Sequence, residues 1–261
     1  LLKPLRSSRI LSHSQMTNNL TNKTVLITGA AGGIGKALCD LFASANAKII
    51  LHYNSNKVKA ESIMSQLPDN EHMIVQADLS NPDNIKKMFN QIDNVDLVVN
   101  NAAVVETHEI NALTFDEWKD IWNKTIDTNL LGPAHITYFA SEKMKKKGGG
   151  KIINISSRGA FRGEPNAPAY GASKAGLNSF GQSMAKALAK NKIFVYTIAP
   201  GFVDTERVKK LVTDEVRAQS PLNRVATPQE VAETALWLAS GKNEFLTGCI
   251  IDVNGASYLR S

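Results

Sequence analysis

Three residues between positions 157 and 174 carry side chains that could together perform acid–base chemistry. Tyr170 and Lys174 are four residues apart, so they share one face of any helix that begins near Pro168. An ammonium group beside a phenol favours the phenolate and is expected to lower the pKa of Tyr170. Ser157 lies thirteen residues before Tyr170, and its hydroxyl is suited to polarise a carbonyl. The spacing indicates proton donation to a substrate oxygen, although a Tyr–Lys pair on a helix is more commonly a surface contact.

The elements that must position these residues alternate between strand and helix. Apolar runs rich in β-branched residues predict strands at 24–28, 48–53, 73–77, 95–99, 151–156, 193–198 and 248–253. Helical patterns separate them, including a long stretch over 114–147 with a kink expected at Pro133 and another helix over 205–218. This order predicts one α/β domain, a doubly wound Rossmann-type fold with a parallel seven-stranded sheet and helices on both faces. Ligands of such sheets bind at the carboxyl ends of the strands.

A glycine-rich loop follows the first predicted strand. Gly29, Gly33 and Gly35 lie where that strand ends and a helix begins near Ile34. Glycines at such a turn allow the backbone to approach a pyrophosphate, which the helix N-terminus attracts. Their spacing differs from the commonest dinucleotide-binding fingerprint. The context still favours nucleotide binding over a plain turn.

The ends of the next strands favour a phosphorylated nicotinamide cofactor. No acidic residue occurs between Asp40 and Glu61, where an NAD site usually places a carboxylate on the ribose. Lys57, with Asn54 and Ser55, could instead meet a 2′-phosphate. NADP(H) is therefore the preferred cofactor, and a dual-specificity site that also accepts NAD(H) stays open.

These motifs occur in one order along the chain: Thr28 to Gly35, Asn100 to Ala103, Asn129, Ser157, Tyr170 to Lys174, and Pro200-Gly201. In that order the chain resembles the short-chain dehydrogenase/reductase family over residues 20–258. Within it, the chain is most similar to 3-oxoacyl-[acyl-carrier-protein] reductases. The residues that this resemblance assigns to the cofactor are Gly29, Gly33, Ile34, Gly35, Tyr53, Asn54, Asp78, Leu79, Asn101, Ala102, Ala103, Tyr170, Lys174, Pro200, Gly201, Val203 and Thr205.

The resemblance also implies a catalytic set of Asn129, Ser157, Tyr170 and Lys174. Tyr170 is the general acid, and Lys174 lowers its pKa and holds the nicotinamide ribose. Ser157 binds the substrate oxygen, and Asn129 supports a water that relays protons to Lys174. The implied activity is reduction of a carbonyl, on a 3-oxoacyl thioester or a related ketone. An alcohol or sugar dehydrogenase working in the oxidative direction is the alternative.

Three departures from the family pattern make the substrate less certain than the chemistry. Ala103 replaces a glycine that usually ends its motif, and the chain is about four residues longer between Trp118 and Asn129. Near the C-terminus, Ala256 stands where a second glycine is common. A catalytically silent nucleotide-binding regulator is disfavoured, because such proteins commonly lose the tyrosine or the lysine.

Arginines beside the predicted active serine suggest a substrate contact. Arg158 and Arg162 could bind an anionic substrate, and a local Arg158–Glu164 ion pair is an equal alternative. The lysines at 143 and 145–147, together with Lys190 and Lys192, could attract an acidic acyl carrier protein, although helix-end cations are the simpler interpretation. The resemblance implies a homotetramer. A lid over the substrate is expected at residues 205–222.

Composition limits the remaining possibilities. The chain has 261 residues and a formal net charge of +6, without the basic clusters of a nucleic-acid-binding protein or an apolar run of membrane-spanning length. Its five histidines show no metal spacing and are expected to be structural or exposed. Cys39 and Cys249 are expected to be small core residues, which fits a reducing compartment.

The first residues allow two interpretations. Leu1 to Gln15 has three basic residues and no acidic one, as a mitochondrial presequence would. The preferred alternative is a start at Met16 and a cytoplasmic protein. Residues 1–19 are predicted to be a disordered or cleaved extension, and residues 20–261 a single domain.

Overall fold

A computed structural model describes residues 19–260 of the chain. The predictions about residues 1–18 lie outside this part. The strands are β1 Thr24–Ile27, β2 Lys48–Tyr53, β3 Met73–Gln76, β4 Leu97–Asn100, β5 Gly150–Ile155, β6 Ile193–Pro200 and β7 Ile250–Val253. The helices are α1 Gly33–Ser44, α2 Lys57–Met64, α3 Pro82–Asn90, α4 Phe115–Ile126, α5 Gly132–Lys147, α6 Gly159–Arg162, α7 Pro168–Leu188, α8 Asp214–Ala218 and α9 Pro228–Ser240.

All seven strands form one parallel sheet in the order β3-β2-β1-β4-β5-β6-β7. The chain starts at the centre with β1, winds outward to β3, and returns to β4 on the other side of β1. The predicted fold is thereby confirmed. The crevice between β1 and β4, where the strand order reverses, is the ligand-binding position in such sheets.

Two hydrophobic layers cover the two faces of the sheet. On one face, Val25 and Ile27 of β1 pack with side chains of α1, α2 and α9, among them Phe42. On the other face, Leu26 and Val98 pack with α3, α5 and α7. Because neighbouring residues of a strand point to opposite faces, a strand buried on both faces is apolar throughout. These continuous apolar runs allowed the strands to be predicted from the sequence.

The long helix predicted over 114–147 is interrupted, but not at Pro133. A single π-helical turn, Asp127–Leu131, separates α4 from α5, and Pro133 lies in the first turn of α5. Proline is tolerated there because the N–H that it lacks is not needed. The prediction of a kink at Pro133 is therefore wrong in position.

The helix predicted over 205–218 is also wrong. This part of the lid forms turns, a short 3-10 segment at Lys209–Leu211 and the five-residue helix α8. The Thr213 side chain accepts the N–H of Val216 and starts α8 only at Asp214. Leu211 remains 58% exposed, so this segment has no buried apolar face to stabilise a longer helix.

Two general features complete the fold. Among residues 19–260, no helix is long and apolar enough to cross a membrane. The same residues contain no cluster of three or more His, Cys, Asp or Glu side chains suited to hold a metal ion. Cys39 is buried, Cys249 is partly buried, and neither forms a disulfide.

Candidate active site

The glycine loop joins β1 to α1 at the crevice of the sheet. Gly29 has a φ of +62°, and a Cβ atom there would lie 2.8 Å from the Cα atom of Ala102. A Cβ on Gly33 would lie 2.6 Å from the Thr205 side chain. The N-terminus of α1 has no side-chain cap and no acidic residue in its first turn. The two glycines therefore let Ala102 and Thr205 approach the loop closely, and the uncapped N–H groups of α1 fit a dinucleotide pyrophosphate.

His52, at the penultimate position of β2, holds this loop through a hydrogen bond to its backbone. Its Nδ1 accepts the N–H of Gly29 at 3.2 Å, and its Nε2 lies 3.0 Å from the Ala77 carbonyl oxygen. These partners require the neutral tautomer with the proton on Nε2. Burial holds the pKa of His52 at about 4, so the imidazole is neutral at physiological pH.

Thr28 and Asn101 fix the other side of the loop. The Thr28 hydroxyl oxygen accepts the N–H groups of Asn101 and Ala102 at 2.9 and 3.0 Å. The Asn101 side chain donates to the carbonyl oxygens of Thr28 and Gly29 at 2.9 and 3.1 Å. The ends of β1 and β4 are thereby tied together, and Ala102 lies close to the loop.

The other residues predicted to contact the cofactor lie along the same edge of the sheet. Tyr53 ends β2, and Asn54 follows it. Asp78 follows β3, and its Oδ1 accepts the N–H and hydroxyl of Ser80. Leu79, Ala103, Pro200, Gly201, Val203 and Thr205 complete this set.

The predicted catalytic residues meet where β5 ends and α7 begins. The Ser157 Oγ accepts the N–H of Gly159 at 3.0 Å, which orients the hydroxyl. Tyr170 and Lys174 share one face of α7, with the Lys174 ammonium 5.7 Å from the centre of the Tyr170 ring. Lys174 is 2% exposed and donates to the Ile155 carbonyl oxygen at 2.8 Å. A serine hydroxyl, a phenol and an amine thus converge beside the crevice.

The electrostatics of this cluster differ from the prediction. Burial raises the pKa of Tyr170 above its ordinary value, while the Ser157 side chain and the positive charge of Arg207 act in the opposite direction. Burial, reinforced by Arg207, lowers the pKa of Lys174 to about 7. The pKa of Tyr170 is therefore shifted upward, opposite to the predicted direction, because burial disfavours the charged form of the phenol. Burial likewise leaves the Lys174 amine only partly protonated near neutral pH.

Asn129 lies in the π-helical turn and is fully buried. Its side chain accepts the N–H of Val104 at 2.8 Å and donates to the Val104 carbonyl at 2.9 Å and the Ser173 hydroxyl at 3.2 Å. The Ser173 hydroxyl donates in turn to the Tyr170 carbonyl. Asn129 therefore links the segment after β4 to the first turns of α7.

Comparison with known proteins identifies the family. A family model described as short chain dehydrogenase matches residues 23–216. The 3-oxoacyl-[acyl-carrier-protein] reductase FabG of Vibrio cholerae is 35% identical over 249 residues, which cover 92% of this chain and 99% of that protein.

The chain belongs to the short-chain dehydrogenase/reductase family.

Other similar proteins share the length and fold of this short-chain dehydrogenase/reductase. The FabG reductase of Aquifex aeolicus is 33% identical and is covered completely, with 93% of this chain matched. A solved structure of a short chain dehydrogenase/reductase family protein superposes with a TM-score of 0.84 at 30% identity, covering 92% of this chain and 99% of that one. The promiscuous reductase LugOII, which catalyses keto-reduction at C1 during lugdunomycin biosynthesis, has the same TM-score at 27% identity. It covers 92% of this chain and 100% of that one.

The two arginines predicted to bind substrate have other partners in this short-chain dehydrogenase/reductase. Arg158 is 3% exposed and donates to the Ser257 hydroxyl and the Gln219 side-chain oxygen Oε1, both at 2.5 Å. Its guanidinium lies over the Phe202 ring. It also lines a cavity of about 240 Å³ between the lid and β7. Arg158 thus ties the lid to the C-terminal segment.

Arg162, rather than Arg158, forms the local ion pair with Glu164, at 3.5 Å. The prediction of an ion pair with Glu164 is therefore right about the carboxylate but wrong about the arginine, which is Arg162. Because the charge of Arg162 is partly satisfied by this carboxylate, it is a weaker anion-binding group than an unpaired arginine.

Sequence reasoning missed two residues at this site. His52 is structural, as one of the two expectations had it, but its bond to the N–H of Gly29 in the cofactor loop was not predicted. The available signal was a titratable residue near the end of an otherwise apolar strand that leads to the cofactor crevice. Arg207 lies on the lid, where its Nη1 donates to the Ala103 carbonyl at 3.1 Å. No local pattern could have found it, because the contact spans more than a hundred residues of chain.

Proposed function

We propose that this member of the family is an NADP(H)-preferring carbonyl reductase that acts on a 3-oxoacyl thioester or a related ketone. One observation carries this proposal: Ser157, Tyr170 and Lys174 converge beside a glycine cradle in which side chains would collide. Similarity to FabG reductases of matching length supports the direction of the reaction.

The absence of an acidic residue at the end of β2 supports the preference for NADP(H). Residues 53–57 offer amide, hydroxyl and ammonium groups instead. An acid there would bind the ribose hydroxyls of NAD and repel a 2′-phosphate. The Asn56 side chain caps α2 by accepting the N–H of Lys59 at 2.9 Å. The nearby cations for a phosphate are Lys57 and Lys59, which pair with the exposed carboxylates of Glu61 at 3.5 Å and Glu206 at 3.2 Å. Such exposed ion pairs are weak, so a phosphate could compete for either lysine.

The residues of the chain divide the work of such a reduction. When bound, the reduced nicotinamide supplies the hydride. The hydroxyl groups of Ser157 and Tyr170 donate hydrogen bonds to the substrate carbonyl oxygen and stabilise the negative charge that develops on it. Tyr170 then gives its proton to that oxygen, which becomes the product hydroxyl. An anionic cofactor in the cleft favours the charged form of Lys174, which in turn stabilises the phenolate left on Tyr170.

The substitution Tyr170→Phe tests this mechanism. It removes the acidic hydroxyl and keeps the ring, so we expect kcat for NADPH-dependent reduction of an acetoacetyl thioester to fall by about 10²- to 10⁴-fold. The Kd for NADPH, measured by fluorescence titration, stays within about threefold of the wild-type value, because a phenol hydroxyl contributes little to cofactor affinity. Tyr138→Phe is the matched control, since Tyr138 is an exposed tyrosine on α5.

Two outcomes would count against the proposal. Full activity of the Tyr170→Phe variant would exclude Tyr170 as the proton donor. Turnover only of alcohols or sugars, in the oxidative direction, would favour the alternative dehydrogenase. Kinetics with both cofactors and with a panel of ketones and alcohols separates these cases.

The proposed partners are an acyl carrier protein that delivers the substrate and further copies of this chain in a homotetramer. The basic end of α5 at Lys145 to Lys147 supports the first. Exposed Phe115 at the start of α4 supports the second, since exposed apolar groups favour subunit contacts. Light scattering of the purified chain tests the assembly.

A further inference from the structure

Successive lid residues extend from the glycine loop to the catalytic cluster. Thr205 packs against Gly33, where the pyrophosphate cradle lies. Two residues later, Arg207 donates to the Ala103 carbonyl oxygen at 3.1 Å, beyond the end of β4. The lid therefore contacts the phosphate end of the crevice through Thr205 and its reacting end through Arg207.

The charge of the Arg207 guanidinium acts on both members of the catalytic pair. Its positive charge lowers the pKa of Tyr170 and of Lys174. Arg207 itself is exposed, and no carboxylate within residues 19–260 forms an ion pair with it. Arg207 is thus a cation near the catalytic residues, and the hydrogen-bond partner of its guanidinium is the neutral Ala103 carbonyl oxygen.

The other arginines of this region already have partners. Arg158 is held by Gln219 and Ser257. Arg162 pairs with Glu164, Arg217 with Asp214 and Arg224 with Glu230. Arg207 is the arginine among these whose charge is available for an incoming anion.

We propose that Arg207 binds the carboxylate of a short oxo-acid substrate whose carbonyl group lies at Ser157 and Tyr170. This inference rests on the proposed reductase function and selects its second substrate class, a related ketone, over a thioester on a carrier protein, which has no free carboxylate. A guanidinium binds a carboxylate through two parallel hydrogen bonds, which would orient the ketone as well as attract it. The carboxylate is favoured over a cofactor phosphate because Thr205, rather than Arg207, lies against the glycine loop.

A pair of ketones that differ in charge tests this inference. Acetoacetate carries the carboxylate, and ethyl acetoacetate has the same ketone without the charge. For Arg207→Gln, we expect kcat/KM with NADPH to fall about 10- to 100-fold for acetoacetate and to change less than about threefold for the ester, as expected for loss of a hydrogen-bonded ion pair. Lys210→Gln, which removes a nearby lid cation, is the matched control and should preserve both values.

Three outcomes would overturn the inference. Equal losses for both ketones, with a displaced pH–rate profile, would show that Arg207 acts through Tyr170 and Lys174. A weaker Kd for NADPH with unchanged acetoacetate kinetics would assign Arg207 to the cofactor phosphates. A wild-type enzyme that reduces the ester but not acetoacetate would exclude a carboxylate site.

A binding measurement separates this inference from the proposed function. If neither ketone is turned over, the reductase proposal fails for these substrates. Calorimetric titration of acetoacetate into the enzyme with NADP⁺ still decides the role of Arg207. Binding to the wild type that is lost in Arg207→Gln supports the carboxylate site, and no binding to the wild type contradicts it.

Discussion

The cofactor loop and the lid face each other across the crevice but are held in opposite ways. Around the loop, His52 and Thr28 are each 1% exposed and make neutral hydrogen bonds to backbone groups. On the lid, Glu206 is 92% exposed and pairs with Lys59 at 3.2 Å. Buried hydrogen bonds of fixed geometry are costly to lose, whereas exposed ion pairs are weak and screened by salt. The conformation of the loop is therefore firmly fixed by its hydrogen bonds, whereas the contacts of the lid are weak enough to rearrange when a substrate binds.

The largest expected effect concerns His52 and the dependence of stability on pH. Its pKa is about 4 in the folded protein and 6.5 unperturbed. The unfolded chain therefore takes up a proton as the pH falls below 6.5, while the folded protein resists until about pH 4. This difference removes stability progressively between those two pH values, by about 3 kcal/mol in total.

The variant His52→Gln removes this titration. The free energies of unfolding of wild type and variant are measured with urea at a series of pH values. Their difference should change between pH 6.5 and about pH 4. Below about pH 4 the difference should level off. His135→Gln, on α5, serves as the control and should keep the wild-type decline. If the stability of the His52→Gln variant fell with pH in the same way as that of the wild type, His52 would not be the cause of the decline.

A smaller effect is expected at Thr28. The isosteric change Thr28→Val leaves the N–H groups of Asn101 and Ala102 without their acceptor. We expect the free energy of unfolding to decrease by about 1–3 kcal/mol and cofactor affinity to weaken. Thr28→Ser keeps the hydroxyl and should retain most of the stability. Chemical denaturation and NADPH titration measure both effects, and a neutral Thr28→Val result would argue that the loop is not held by this hydroxyl.

The smallest effect belongs to the lid pair of Glu206 and Lys59. Glu206→Gln frees the ammonium group and removes a negative charge beside the cleft, so the anionic cofactor should bind more tightly, by less than about fivefold. High salt should abolish the gain, because exposed charges are screened. Titrations of NADPH at low and high ionic strength test this. A large change that persists in high salt would mean that the lid is fixed as firmly as the loop.

Local patterns predicted the elements that are buried on both sides. β1, β4, β5 and β6 are apolar and short, so their positions follow from the sequence within a few residues. The lid was misread as a helix because its helical pattern was not matched by a buried face. The π-helical turn at 127–131 was missed for a related reason: the side chain that occupies it, Asn129, is held by Val104 and Ser173, which are remote in sequence.

For the candidate site, the sequence by itself determined which groups are present and their order along the chain. The glycines, Ser157, Tyr170 and Lys174 follow strand ends, and parallel strands bring such positions to one edge. Only the tertiary structure decided their ionisation and their partners. Burial raises the pKa of Tyr170 against the opposing effects of the Ser157 side chain and the Arg207 charge. The fold ties Arg158 to the C-terminal segment and brings Arg207 to the Ala103 carbonyl oxygen. Desolvation and long-range contacts depend on what surrounds a side chain, and spacing along the chain does not encode that.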